Sequence, residues 1–228
     1  MSRSASTSQQ LLKEGEGLNP ARVPYKFPPP GTNEVADEVR GRRGARGLLA
    51  LDGVVADGDL GGWCTGRLHS EPLAKAWNQI GFALRDYNTI PADIRELLIL
   101  RVAVLNNAAF EWIAHEPPAR AAHLTTAHLL AIRHTPPFSS PSPSLPPRLA
   151  AALLFADHST KNVQVPQEVF DALRAHLQGE GGDGDGDGEA DRRMVEAVAT
   201  VAGYNMVSRV LVALDVDGKA GVEVPVPV

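Results

Sequence analysis

The chain has 228 residues, is 43% hydrophobic and 21% charged, and carries a net charge of -5, the proportions of a globular protein with room for one sizeable core. Its mild acidity argues against nucleic acid and anionic membrane surfaces, which attract basic proteins. The one cysteine, Cys64, excludes an internal disulfide and a cysteine-built metal site.

Residues 1–24 are largely polar and rich in Ser, Gln and Gly near the start, which predicts a disordered N-terminal segment. They lack the apolar centre of a secretory signal. No stretch reads as the ~20 apolar residues of a membrane span, so the expectation is a cytoplasmic protein with no membrane partner. The prolines of 25–30 (YKFPPP) predict extended chain. The basic run 40–46 (RGRRGAR) reads as a solvated loop in preference to an anion site. A Gly-rich loop surrounds Cys64.

Helices follow in order. One spans 70–85, with Ser70 as N-cap and Pro72 early in the first turn. The next spans 91–105 and is interrupted by Asn106-Asn107. A third covers 109–124, and a short one starts at Thr125 or Thr126. Residues 134–147 hold six prolines and four serines and form a loop. Further helices cover 148–158, 166–177 and 189–214. The tail 222–228 holds two prolines and is not expected in a sheet. The fold class is therefore all-α: one domain over 25–216 with a flexible acidic insert at 179–189, then a C-terminal tail from 217.

Ionisable groups inside apolar helices are costly unless paired, and such clusters are where acid/base chemistry is often found. Glu96 shares its helical stripe with Leu100, Ala103 and Asn107, so it faces inward. It is either a functional carboxylate or a structural one paired with Arg101 or Arg209. Glu111 and His115 are spaced i,i+4 and meet on one face, beside Ala108, Ala119 and Ala122, small residues that suit a pocket. Glu116 and Arg120 form an i,i+4 pair on another face, read as a surface ion pair. Trp112 lies between the faces, as core or as a pocket wall for substrate. Pro117-Pro118 removes the usual partners of two preceding carbonyls, which either shapes the pocket or marks a break. An imidazole accepts and returns a proton near neutral pH, a carboxylate orients it, and a second carboxyl in an apolar setting keeps its proton. Glu96, Glu111 and His115 are the candidate catalytic residues for moving a proton on a carbonyl- or lactone-containing substrate.

Two other features carry less. The run GGDGDGDGE places Asp183, Asp185, Asp187 and Gly188 in the spacing of a calcium loop, but Met194 stands where the bidentate glutamate is required, so a flexible insert is the better reading. The remaining histidines are scattered, and His123 and His128 do not share a helix face. No metal site and no cofactor are expected.

The motifs HSEPLAKAW, RELLILRVA, EWIAHEPPARAAHLT and VEAVATVAGYNMVSRVL resemble the carboxymuconolactone decarboxylase and alkylhydroperoxidase-D-like superfamily over about 68–216, in the form of its cysteine-free fungal-type branch. In the peroxidase members the resemblance matches Glu96 to a glutamate, Ala108 and Glu111 to the two cysteines of Cys-x-x-Cys, and His115 to the histidine. With no thiol at those positions, cysteine-based peroxide reduction is disfavoured. The lactone decarboxylase branch places a glutamate four residues before the histidine, as Glu111 and His115 are placed. The resemblance thus implies an all-α fold, a homo-oligomer and a cofactor-free acid/base site for a small-molecule substrate. His115 is then base or acid, Glu111 its orienting group and Glu96 a proton donor or hydrogen-bond partner, with Tyr204 and Arg209 of the late helix beside Trp112 as substrate-binding residues. The rival reading is a non-catalytic ligand-binding or oligomeric scaffold built on the same residues.

Overall fold

The computed structural model describes residues 19–46, 68–140, 142–178 and 186–228. Three sequence expectations lie outside them: disorder at the start of the chain, the Gly-rich loop at Cys64, and most of the acidic insert with its calcium-loop spacing. The described residues contain eight α-helices and no strand. In chain order they are α1 (Glu34–Arg46), α2 (Glu71–Arg85), α3 (Ala92–Leu105), α4 (Ala109–Ala121), α5 (Thr126–His134), α6 (Pro147–Lys161), α7 (Gln167–His176) and α8 (Gly186–Leu214). A short 3-10 turn, Val216–Gly218, follows. The all-α expectation holds.

The architecture is built around α3. Its Ile94, Leu97, Leu98, Ile99, Leu100, Val102 and Ala103 are all buried, and a helix apolar on every side must be covered on every side. α4, α5, α6 and α8 surround it, and α6 and α8 also pack on α7. The core joins these residues to Trp112, Leu129, Ile132, Leu153, Phe155, Val201 and others. Any polar group on α3 is therefore surrounded by protein, which explains why Glu96 and Arg101 are both buried.

Local signals set most boundaries. Ser70 is the N-cap of α2, with Pro72 in the first turn. Pro91 precedes α3, and Asn106 closes it before Asn107, which has φ 50°. Thr125 caps α5 in a reciprocal box with His128: the Thr125 hydroxyl accepts from the His128 N–H at 3.2 Å, and His128 Nδ1 accepts from the Thr125 N–H at 3.3 Å. One of the scattered histidines is thus a capping group. α4 runs through Pro117 and Pro118 to Ala121. The carbonyls that lose their donors belong to Ile113 and Ala114, both only partly buried, where water can replace the missing bonds.

Three expectations are corrected. The basic run 40–46 is the second half of α1, not a loop. Asn33 Oδ1 accepts from the Ala36 N–H at 2.9 Å at its start, Asp37 pairs with Arg40 at 2.9 Å, and Val35, Ala36 and Val39 form a small core with Leu68 and Ala74. The last helix begins at Gly186, inside the span read as a flexible insert. Finally, Gly188–Leu214 is long and apolar enough to cross a membrane, whereas the sequence reading found no such stretch. A core helix of a soluble protein meets the same test, and this helix buries Ala190, Met194, Ala197, Val201, Tyr204 and Leu211 on one side.

Chain ends close onto this core. The Arg22 N–H donates to the Leu214 carbonyl at 2.8 Å. Val224 is buried in the main cluster, held by Arg133, whose guanidinium reaches the Val224 carbonyl at 2.8 Å and Glu223 at 2.8 Å.

Candidate active site

Three helices contribute to one cluster. α3 supplies Arg95 and Glu96, α4 supplies Glu111 and His115, and α8 supplies Tyr204 and Ser208. His115 Nδ1 lies 2.9 Å from Glu96 Oε2, and the Arg95 Nε–H donates to Glu96 Oε1 at 3.1 Å. Glu96 is only 3% exposed. Burial pushes its carboxyl upward, but the hydrogen bond and charge of His115, together with Arg95, outweigh this and hold it below the usual carboxylate value. With Glu96 accepting from Nδ1–H, Nε2 is the nitrogen left to take up or release a proton. The edge of the His115 ring meets Tyr204 with centroids 4.9 Å apart and planes at 90°.

Glu111 behaves differently. It is 1% exposed, and its Oε2 accepts from the Ser208 hydroxyl at 2.9 Å. Its Oε1 is buried with no protein partner. Burial drives this carboxyl well above its usual value, and the single bond from Ser208 opposes that only in part. Two carboxyls of one cluster are therefore pushed in opposite directions, Glu96 toward its ionised form and Glu111 toward its neutral one. Buried Tyr204 is also raised, by burial first and by the charge of Glu96, with Arg85 and Arg95 acting the other way.

This geometry changes the roles suggested by spacing. The i,i+4 rule put Glu111 and His115 on one face, with Glu111 orienting the imidazole. The partner of the imidazole is Glu96, from the preceding helix, and the partner of Glu111 is Ser208. Glu96 pairs with neither Arg101 nor Arg209. Arg101 forms a buried ion pair with Asp157 at 2.6 Å, and Arg209 donates to the Asn205 carbonyl at 2.8 Å and its Oδ1 at 2.9 Å. Asn205 in turn reaches Asn106 and Thr160. Arg209 thus belongs to a polar knot joining α3, α6 and α8, and shares no hydrogen bond or ion pair with the Glu96–His115 pair among the described residues. Trp112 is fully buried, and its indole N–H donates to Glu116 Oε2 at 2.9 Å. Glu116 also holds Arg120, at 2.7 Å, so the tryptophan N–H is committed away from the cluster. Of the small residues on the Glu111–His115 face, Ala108 and Ala119 are buried.

Sequence reasoning passed over Arg95 and Ser208. Arg95 carried no signal beyond adjacency to Glu96. Ser208 carried one: it lies four residues after Tyr204 on the buried stripe of α8, a polar residue at an apolar position.

Residues 71–138, α2 through α5, match the family model described as the Carboxymuconolactone decarboxylase family. Over this segment the chain is similar to that family. The matched segment spans less than a third of the chain and contains Glu96, Glu111 and His115; Tyr204 and Ser208 lie beyond it. No curated protein matches the chain. Among solved structures, it is similar to a protein of unknown function from Agrobacterium tumefaciens, described as a candidate antioxidant defence protein AhpD. That likeness has TM-score 0.52 and 20% identity, covering 70% of this chain and 95% of that one. It is also similar to a cysteine-to-alanine variant of the debrominase Bmp8 in complex with 2,3,4-tribromopyrrole, with TM-score 0.54 and 18% identity over 76% of this chain and 81% of that one. At these identities the likeness is one of fold.

Proposed function

We propose that this protein is a cofactor-independent acid/base lyase or isomerase acting on a small carbonyl- or lactone-containing substrate. The observation that carries the reading is the 2.9 Å contact between His115 Nδ1 and Glu96, with a second carboxyl, Glu111, buried in the same cluster and pushed by burial toward its neutral form. Glu96 holds the imidazole in the tautomer whose Nε2 is basic. His115 removes a proton from the carbon beside a carbonyl and returns it elsewhere, and Glu111 remains an acid. This arrangement separates base and acid by environment, as proton-transfer sites require. It also does without thiols: Ala108 and Glu111 occupy the positions that the resemblance matches to the cysteines of the peroxidases.

The resemblance also implies association of copies. The apolar residues Val195, Val198 and Met206, exposed along α8, support self-association, which sedimentation would measure.

The test is exchange of the protons beside the carbonyl of small lactones, ketones and keto acids with D2O, followed by NMR. Wild-type protein is expected to accelerate exchange for at least one of them. His115→Ala is expected to lower that rate by about 10²- to 10⁴-fold, the usual worth of a positioned general base. A His115→Ala variant as fast as wild type would end the acid/base reading. Melting temperature lowered with no exchange in either protein would support the scaffold reading in its place.

A further inference from the structure

We propose that Ser208 is a positioning residue for Glu111, fixing its carboxyl so that the proton stands on Oε1 and is offered to the carbonyl oxygen of the substrate. This rests on the acid/base reading above and extends it to α8, outside the segment matched by the family model.

Geometry supplies the first step. The Ser208 hydroxyl, itself fully buried, donates to Glu111 Oε2 at 2.9 Å. With the Ser208 hydroxyl as donor, Oε2 acts as the carbonyl-type oxygen of a neutral carboxyl and the acid proton stands on the other oxygen. That oxygen, Oε1, is buried and meets no protein acceptor. A buried donor without a partner is costly and rare in native proteins, and its persistence in a cluster with a base marks a place where a ligand atom completes the bond.

The surroundings keep the group neutral. The titratable and charged groups of the cluster are Arg85 from α2, Arg95 and Glu96 from α3, Tyr204 from α8 and His115 on the same helix. Arg95 is engaged by Glu96, and His115 is engaged by Glu96. No ion pair involving Glu111 occurs among the described residues. Burial therefore acts on it unopposed except by Ser208.

The chemistry follows with its electrons balanced. His115 Nε2 takes the proton from the carbon beside the carbonyl. The pair of that C–H bond becomes a C=C bond, and the carbonyl π pair moves to oxygen. The enolate oxygen accepts a hydrogen bond from Oε1–H of Glu111, which keeps its proton. The proton on Nε2 then returns to carbon. A neutral acid is suited to this because its hydrogen bond strengthens as charge develops on the oxygen. Ser208 touches no reacting atom; it decides which oxygen of Glu111 carries the proton.

Infrared spectroscopy of the intact protein at neutral pH reads this directly. A protonated-carboxyl stretch is expected in wild type and absent in Glu111→Gln. In Ser208→Ala the band is expected to persist at higher frequency, because its C=O has lost a hydrogen bond, and Ser208→Thr is expected to restore it. With γ-butyrolactone as probe, Ser208→Ala is expected to slow exchange of the protons beside the carbonyl about tenfold in kcat, the worth of one hydrogen bond, with KM little changed and with rescue by Ser208→Thr. Absence of a Glu111-dependent band, or a band that Ser208→Ala leaves in place, would overturn the proposal even if His115-dependent exchange were intact. A band that shifts as expected, in a protein without exchange on any probe, would support the Ser208–Glu111 coupling and overturn the acid/base reading alone.

Discussion

Arg101 and Glu96 lie on the same buried helix, yet their surroundings teach opposite lessons. Arg101 is fully satisfied. Its Nε donates to Asp157 at 2.6 Å, a second nitrogen donates to Asp157 at 3.1 Å, and a third reaches the Ile132 carbonyl at 2.6 Å. Asp157 also accepts from the Phe138 N–H at 3.1 Å, which ties the proline-rich loop to α6. The Glu96 end is not closed in this way. There His115 Nε2 makes no hydrogen bond among the described residues, and a neighbouring carboxyl has one buried oxygen with no protein partner. A buried polar group whose bonds all end within the protein specifies structure. One whose bonds are left open has room for chemistry.

The largest expected effect would break the structural half of this contrast. Arg101→Ala leaves Asp157 as a buried, unpaired charge, a change that costs about 3–5 kcal/mol. For a chain of this size that lowers the melting temperature by roughly 10 °C. The double variant Arg101→Met, Asp157→Leu is expected to recover most of the loss, because removing both partners strands no charge. Calorimetry of the three proteins checks this. A single variant as stable as wild type would show that the ion pair does not hold the core.

Next comes the approach of α2 to α8, on which the site side depends. A Cβ added at Gly203 would lie 2.5 Å from Leu84 Cδ1, closer than atoms can stand. Gly203→Ala gains helix propensity, but overpacking costs about 1–3 kcal/mol, so a net loss of stability is expected. Since Gly203 precedes Tyr204, displacement of α2 is also expected to disturb the ring that meets His115, which an NMR shift of the His115 ring protons would report. An unmoved resonance would detach α2 from the site.

The two halves differ also in how far the sequence reveals them. Ser70, Pro91, Asn106 and Thr125 mark helix ends through local chemistry, so most elements are legible. α1 is not, because its apolar stripe of Val35, Ala36 and Val39 is short and is followed by the charges of RGRRGAR. Glu96, Glu111 and His115 stand out as ionisable residues in apolar helices. Their pairing does not, since helical spacing says which side chains share a face and not which neighbour from another helix reaches them first. Glu96 takes the imidazole across the helix interface, and Ser208 takes Glu111 from the far end of the chain. Asp157, the partner of Arg101, follows the apolar run 149–156 and so reads as inward-facing, but nothing in the sequence names Arg101 as its partner.

The smallest expected effect separates the two carboxyls by pH. Glu96, held below its usual value, gives stability that is present above the pKa of the unfolded chain and is lost as pH falls through its lowered folded value. Glu111, held well above its usual value by burial, acts in the other direction. Below the unfolded value both states bind the proton and the group costs nothing. Between the two values the unfolded chain has released the proton and the folded one has kept it, so stability falls by about 1.4 kcal/mol per pH unit. Glu111→Gln removes that slope: it is expected to match wild type in acid and to become progressively more stable from mildly acidic pH upward. Glu96→Gln is expected to flatten only the acid side. Denaturant unfolding of the three proteins across pH measures both slopes. If Glu111→Gln followed the wild-type curve throughout, Glu111 would be ionised in the folded protein. The contrast with the closed Arg101–Asp157 pair would then rest on Glu96 and His115 alone.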